Sequence, residues 1–328
     1  MDLNIAFAKM QSVRDLVAQP GSIAVAVSGG PDSMALLSLL CALSSKHPDI
    51  KIHALTFDHG LRTESGVEAN QVGAWIESWP NVEHHILNWH GDKPDTGIME
   101  QARDARYTAM AAWCHAHNIK TLWLGHHQTD QAETFLFRLA KGSGLDGLGG
   151  MMEYQPCSVD PSIMLVRPML QMAKGDIVAF CQNHTIPHVI DPSNINMKYA
   201  RARLRHALPA LEAEGLSESR LAATARRLDR ARIALDHYAD QIIASAATIQ
   251  TAHSTIALDA LNTAPEEIRI RVIRRVLDQM GPGGYGPRLD RLEDIIDQIF
   301  NEGGRRFTLG GYVFAREGQS FSITEEKF

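Results

Sequence analysis

The sequence predicts an α/β protein: a doubly wound, mostly parallel sheet of Rossmann-like layout, followed by a second, mainly helical domain. Three observations carry that expectation. Over roughly the first two-thirds of the chain, short apolar runs alternate with stretches of helical periodicity, as in consecutive βαβ units. The first run, Ile23-Ala-Val-Ala-Val27, is apolar at every position, as in a strand buried on both faces. From Lys198 onward the text changes to long helical patterns rich in alanine and arginine.

Taken in order, residues 3–18 read as one amphipathic lead-in helix. Ile23–Val27 is the first strand, and Ser28-Gly29-Gly30 turns it into a helix that starts between Pro31 and Ser33 and runs to about Ser45. Lys51–Phe57 is the second strand and ends in Asp58-His59-Gly60-Leu61-Arg62. Residues 65–79 form a helix closed by Pro80, and Val82 to Trp89 a third strand. Met99 to His117 is helical, Thr121–Gly125 is a fourth strand, and His126 to Ala140 begins as a loop and continues as a helix. Gly142–Gly150 is too glycine-rich for an element interior and reads as a mobile loop, either a lid or a linker. Ile163 to Arg167 is a further strand, Lys174 to Asn183 a helix, and Asp191-Pro-Ser-Asn194 a turn. Residues 217–248 read as one long helix, with Arg269–Gln279 and Arg288–Phe300 as two more. Arg305 to Thr324 forms strands about a Gly310-Gly311 turn. The boundary is expected near residues 210–217, dividing the chain into 1–213 and 214–328.

Ordinary apolar and charged fractions place the 328-residue chain among soluble globular proteins, and its longest apolar runs are too short to span a bilayer. The amino terminus lacks the features of a secretory leader, so a cytoplasmic protein without membrane partners is expected. Cys41, Cys114, Cys157 and Cys181 are widely spaced with no C-x-x-C pair, which disfavours a zinc ribbon or an iron–sulfur site. The net charge of −6 argues weakly against a nucleic-acid partner, but the charge is uneven. Between Lys198 and Arg232 stand nine bases (Lys198, Arg201, Arg203, Arg205, Arg220, Arg226, Arg227, Arg230, Arg232) against four acids. That stretch is either a polyanion footprint or a solvated, partly paired helix surface.

The chemistry concentrates at Ser28-Gly29-Gly30-Pro31-Asp32-Ser33. Two glycines between a buried strand and a helix let the backbone approach a ligand, and the helix start aims free N–H groups at it. Such a turn cradles an anion, naturally a phosphate. It is not a Walker A loop, which needs a lysine, nor a G-x-G-x-x-G fingerprint. Asp32 is a carboxylate in a phosphate loop, an unfavourable pairing unless a cation bridges the two, so it argues for Mg²⁺ with a nucleotide. The plainer alternative makes Asp32 and Ser33 helix caps. Ser28, Asp58 and His126 all fall at carboxyl ends of strands, where doubly wound sheets bind ligands, so three polar clusters converge on one crevice. In Gly125-His126-His127-Gln-Thr-Asp130-Gln-Ala-Glu133-Thr134, Asp130 and Glu133 share one face of a starting helix and suit a metal, an ammonium group, or both in turn. His126-His127 and Cys114-His115-x-His117 lack the spacing zinc prefers. Glu100, Arg103, Arg106 and Tyr107 share a helical face, either as an internal ion-pair surface, slightly favoured on spacing, or as phosphate-binding arginines aimed into the crevice.

These residues carry a resemblance. Ser28-Gly-Gly-Pro-Asp-Ser33 resembles the PP-loop signature of ATP pyrophosphatases (HUP-like fold), enzymes that adenylate an oxygen and release pyrophosphate. With Asp58–Arg62, Glu100-x-x-Arg103-x-x-Arg106-Tyr107, Gly125–Thr134, Gly142-Ser-Gly144, Arg167-Pro-Met-Leu170, Asp191–Asn194, Arg201 and Arg205, most of residues 20–205 resembles the tRNA(Ile)-lysidine synthetase family. The remainder resembles that family's helical substrate-binding domain with its Gly-Gly-Arg-Arg tail. Ala202 stands where the family commonly has asparagine, and the extra carboxyl-terminal domain of longer members is expected to be absent. The resemblance implies ligation of free L-lysine to C2 of the wobble cytidine of a CAU-anticodon isoleucine tRNA, through an adenylated cytidine, giving AMP and pyrophosphate. It implies ATP and Mg²⁺ as cofactors. Asp32, Asp130 and Glu133 are the expected catalytic residues, with Mg²⁺ on Asp32 and Asp130. Ser28 to Ser33 are expected on ATP, Asp130 and Glu133 on lysine, and Arg201 and Arg205 on tRNA. Asp58, His59, Arg62, Glu100, Arg103, Arg106 and His126 are further crevice candidates. A PP-loop tRNA thiolase and a non-catalytic tRNA-binding protein of the same fold are the alternatives. The oligomeric state stays open, a homodimer included.

Overall fold

The computed structural model describes residues 2–62, 64–91, 93, 96–189, 200–281, 289–300 and 306–326, with backbone alone at 99, 200, 201, 289 and 290. The chain divides into two compact units, Met1–Asp229 and Arg230–Phe328. In place of one lead-in helix stand two, α1 (Leu3–Ala8) and α2 (Gln11–Ala18). Asp2 caps the first, and Met10 adopts an extended conformation between them. Glu153 then holds the start of the second, accepting from Ser12 N at 3.0 Å and Ser12 Oγ at 2.5 Å. A tertiary carboxylate thus supplies the cap that local sequence lacks.

The alternation that follows is β1 (Ser22–Ala26), α3 (Pro31–Ser44), β2 (Lys51–Asp58), α4 (Ser65–Ile76), β3 (Val82–Asn88), α5 (Ile98–Ala116), β4 (Thr121–Trp123) and α6 (Gln128–Ala140). Next come α7 (Leu145–Leu148), β5 (Tyr154–Pro156), β6 (Met164–Val166), α8 (Lys174–Asn183), α9 (Ala200–Ala213) and α10 (Glu218–Ala246). Among the described residues the sheet order is β3-β2-β1-β4-β6-β5, every neighbour parallel except the short β5, which runs antiparallel to β6. The apolar run in β1 has a direct cause. Ile23 and Val25 enter the core shared with α3 and α8, while Ala24 enters the core under α5 with Tyr107, Met110 and Cys114. Helix α3 is apolar almost all round, with Met34, Leu36, Leu37 and Leu40 inaccessible, so it is the central helix of its layer. Truncating Leu36 to alanine is expected to cost about 2–5 kcal/mol.

The Gly142–Gly150 stretch is not the loose loop its composition suggests. It contains α7, and Arg138 Nη1 donates to Gly147 O at 2.7 Å and Gly150 O at 2.8 Å. Gln131 exchanges two bonds with the Met151 backbone, at 2.6 and 2.7 Å. Its glycines serve geometry: Gly150 has φ +76, and a Cβ there would stand 2.6 Å from Gln131 Oε1.

The second unit holds β7 (Ala247–Thr248), β8 (His253–Ala257), α11 (Leu258–Thr263), α12 (Glu266–Met280), α13 (Leu289–Phe300), β9 (Arg306–Leu309), β10 (Tyr312–Glu317) and β11 (Ser320–Glu325). Its helices pack Val272, Val276, Ile296 and Ile299 against Phe314 and Phe321 of a sheet ordered β7-β8-β11-β10-β9. The helical region therefore carries its own antiparallel sheet. Strand β8 and helix α11 are not legible in the sequence because 253–263 is short and weakly periodic. No helix among the described residues is long and apolar enough to cross a membrane.

Candidate active site

The site grows from the turn after β1. Gly29 has φ +80, and a Cβ there would meet Val72 Cγ2 at 2.9 Å, so glycine is required on two counts. Gly30 is the N-cap of α3 and offers no capping side chain, which leaves that turn to an external anion. Ser33 shapes the loop: its Oγ donates to Gly30 O at 3.0 Å and accepts from Ser28 N at 3.1 Å. Ser28 Oγ lies 3.2 Å from the same hydroxyl. The loop is also held from behind, because Val189 N donates to Gly29 O at 2.9 Å.

The end of β4 passes directly against this loop. A Cβ on Gly125 would stand 2.9 Å from Asp32 O and 3.1 Å from Ser33 N, which are backbone atoms. That close approach brings His127, Asp130 and Asp32 together. His127 Nε2 lies 3.5 Å from Asp32 Oδ1 and 3.6 Å from Asp130 Oδ2. Asp130 Oδ2 also accepts from His127 N at 2.9 Å, while His127 Nδ1 accepts from Thr129 N at 3.2 Å, a capping box that starts α6. Lys174, at the start of α8, donates to both Asp32 oxygens at 2.6 Å. Burial pushes the Asp32 carboxyl up, but His127 and Lys174 outweigh it and hold Asp32 below the ordinary carboxylate range. Burial pushes His127 down, yet Asp32 and Asp130 raise it above its ordinary 6.5. The centre sets two carboxylates, Asp32 among them held ionised, against the Lys174 amine and the His127 imidazole.

Glu133, one turn along α6, is buried, and Arg205 Nε of α9 donates to its Oε1 at 2.6 Å. Arg205 is thereby held above its ordinary pKa by Glu133. The expected lysine-binding carboxylate and one expected tRNA-binding arginine are thus partners in this conformation. Arg201 lies in α9 with its backbone alone described, and Asp191–Asn194 and Lys198 fall outside the described residues.

The other candidates divide. Asp58 Oδ1 accepts from Ser65 Oγ at 2.6 Å and Gly60 N at 2.9 Å, and these bonds outweigh burial to lower its pKa. It organises the loop after β2, within which His59 Nδ1 accepts from Leu61 N at 3.0 Å. Arg62 pairs with Glu68 at 2.9 Å. On α5, Arg103 and Arg106 lie over the Tyr107 ring, at 5.1 and 5.3 Å, while Glu100 is exposed. Arg103 also adds to the positive field at Arg167. Buried Arg167, at the end of β6, donates from Nε to His126 Nδ1 at 3.2 Å and from Nη1 to Met152 O at 3.0 Å and Gln155 Oε1 at 3.1 Å. It orients His126 at the crevice edge.

One residue, Lys174, escapes sequence reasoning, and for Arg167 the sequence shows the motif but not the partner. Lys174 reads as an ordinary helix-start lysine, and only the fold shows it 142 positions from its partner Asp32. Arg167 is conspicuous as an arginine ending an apolar strand beside Pro168, but nothing local connects it to His126.

A PP-loop domain model matches residues 3–211. The tRNA(Ile)-lysidine synthase of Methylobacterium nodulans is 39% identical over 93% of this chain and 91% of its own length. That of Wolbachia pipientis wMel is 35% identical over 93% of this chain and 70% of its own. The U34-tRNA thiolase of Methanococcus maripaludis, which carries a [4Fe-4S] cluster, shares the fold with a TM-score of 0.59 at 14% identity, covering 69% of this chain and 77% of its own. The loop geometry, the paired carboxylates behind it and these matches place the chain in the PP-loop family of tRNA(Ile)-lysidine synthases.

Proposed function

We propose that this chain ligates free L-lysine to C2 of the wobble cytidine of a CAU-anticodon isoleucine tRNA, consuming ATP and releasing AMP and pyrophosphate. The observation that supports it most is the uncapped glycine turn of α3 facing the Asp32–Asp130–His127–Lys174 cluster. The turn, Ser28 to Ser33, receives the ATP phosphates through backbone N–H groups and the Ser33 and Ser28 hydroxyls. Cytidine O2 attacks the α-phosphorus, and the bond to pyrophosphate breaks. The lysine ε-amine then attacks C2, and AMP departs with the former O2.

Asp32 and Asp130 fit a magnesium ion: both present hard carboxylate oxygens within 3.6 Å of one imidazole nitrogen, with Asp32 held ionised. Bound there, the ion would neutralise charge on the phosphates. Lys174, which holds Asp32 in this conformation, is placed to transfer its ammonium to a phosphate oxygen. A lysine ammonium has an ordinary pKa of about 10.4 and must lose a proton before it attacks. Asp130 and Glu133 dock it, and one of these carboxylates accepts that proton. Domain 214–328 and the basic helices, with Arg201, Arg203 and Arg205 on α9, take the tRNA backbone.

Sulfur transfer is disfavoured by the thiols. All four cysteines are buried, and burial pushes Cys41 and Cys114 up to about 12 and Cys181 up to about 11. The test is mass spectrometry of the wobble nucleoside after incubation with tRNA, ATP and isotopically labelled lysine. Label in that nucleoside, with AMP formed only when lysine and tRNA are both present, is the expected result. ADP as product, or equal turnover without tRNA, overturns the proposal.

A further inference from the structure

The opposite end of the sheet carries a second cluster that the ligase chemistry does not use. In the parallel pairing of β2 and β3, His53 stands beside Glu83, and His85 follows two residues later on the same face. His53 Nδ1 lies 3.3 Å from His85 Nε2 and 3.4 Å from Glu83 Oε2, and His85 Nε2 lies 3.9 Å from that oxygen. Three ligand-type atoms from three side chains therefore form one small triangle. His84 belongs to the other face, where its Nε2 meets Thr56 Oγ1 at 2.9 Å. These positions lie near the amino ends of β2 and β3, whereas the ATP crevice lies at the carboxyl ends of the strands.

Hydrogen bonding alone does not satisfy the triangle. His53 Nδ1 faces both His85 Nε2 and Glu83 Oε2, and one ring nitrogen carries at most one proton. If that proton points to the carboxylate, His53 Nδ1 has no lone pair left to accept from His85. If Nδ1 is instead bare and accepts from His85 Nε2, its lone pair also faces the carboxylate. Neutral imidazoles with free lone pairs beside a carboxylate are what a divalent transition ion requires. With metal–ligand bonds of about 2.0–2.1 Å, a tetrahedron has edges of about 3.3–3.4 Å. Two of the three distances already match, and Glu83, the most exposed of the three side chains, closes the third by a small rotation. Trp113 walls the site, its ring 4.6 Å from that of His85 and 5.3 Å from that of His53.

We propose that His53, Glu83 and His85 bind one Zn²⁺ ion, with water in the fourth position, fastening the outer strand β3 to β2. Two imidazoles and one carboxylate favour zinc over magnesium or calcium, which prefer all-oxygen shells.

The test uses untagged full-length protein stripped with chelator, then titrated with Zn²⁺ against a chromophoric competitor. One equivalent is expected to bind. Glu83→Gln is expected to weaken it at least about tenfold, and His85→Asn to remove it. Co²⁺ in the same site is expected to give the intense visible bands of tetrahedral coordination. Circular dichroism of the metal-free variants separates lost ligands from lost fold. Because Glu83 is exposed, its glutamine variant remains informative even if His85→Asn unfolds. Absence of a tight equivalent in the wild type, octahedral cobalt bands, or binding that survives Glu83→Gln unchanged would each overturn the proposal.

Discussion

Lys174 Nζ sits 2.6 Å from both carboxylate oxygens of Asp32, clamping the acid of the phosphate loop from a helix far along the chain. His127 and this ammonium together keep Asp32 ionised before substrate binds, and the ammonium is positioned to follow the phosphates when ATP arrives. Lys174→Met is therefore expected to lower kcat/KM for ATP at least about tenfold, the order of one charge-assisted hydrogen bond. Asp32→Asn is expected to abolish turnover. Pyrophosphate release measured with saturating tRNA and lysine checks both, and a Lys174→Met enzyme with wild-type kcat/KM would remove Lys174 from the site.

His127 makes stability depend on pH in a definite direction. Its folded-state pKa lies above the ordinary 6.5, so the stabilisation is fully present below pH 6.5 and fades as pH rises through the raised value. The lowered Asp32 carboxyl works at the other end, stabilising above pH 3.8 and losing that contribution as pH falls through its folded value. Urea midpoints of the ligand-free protein are expected to fall as pH rises above about pH 7, where the lowered His53, His84 and His85 are already neutral, and His127→Gln to flatten that slope. Parallel slopes for the two proteins would contradict the assignment.

The Glu133–Arg205 pair is expected to couple in a double-mutant cycle. Arg205→Ala deprives a buried carboxylate of its 2.6 Å partner and is expected to cost about 1–3 kcal/mol of stability. The range stays at the low end of buried pairs because Arg205 is about half exposed. Adding Glu133→Gln is expected to recover much of that loss. Additive losses in denaturant midpoints would mean that the two side chains act independently.

Gly125 tests the backbone approach between β4 and α3. Gly125→Ala drives a methyl against Asp32 O at 2.9 Å and is expected to cost about 1–3 kcal/mol and to raise the KM for ATP. Gly144→Ala, where a Cβ meets nothing within 4 Å, is the control and is expected to leave the KM unchanged. Equal behaviour of the two variants rules out the close approach as the cause.

Binding of tRNA through the basic helices is expected to weaken steeply with salt, because each neutralised phosphate releases condensed counterions. Replacing Arg226 and Arg227 with alanine is expected to reduce the slope of log Kd against log salt by about one for each phosphate left without its arginine. A slope that does not change would place the tRNA elsewhere.

The phosphate turn, the alternation around it and the long helix at Glu218–Ala246 are legible because each is written in adjacent residues: paired glycines, an apolar run, a sustained period. The site's internal balance is not. That Lys174 holds Asp32, that Arg167 holds His126, and that Arg205 holds Glu133 are pairings across wide separations, which composition and spacing do not encode. Glycines mislead at 142–150, where they read as looseness but serve a tight turn pinned by Arg138 and Gln131. The break between α1 and α2 is illegible for the same reason, its cap being Glu153, 141 positions away.

The bond from Val189 to Gly29, together with the Lys174 clamp, has a consequence for how the protein is made. The phosphate turn leaves the ribosome 142 positions ahead of the lysine that clamps its aspartate. Until α8 and the segment after it emerge, the nascent chain has the turn without its ammonium and without its backing. Pairings of such long sequence separation form late and slowly. The phosphate turn therefore gains its clamp and its backing only once the chain has been synthesised through Val189, after the strands of its sheet.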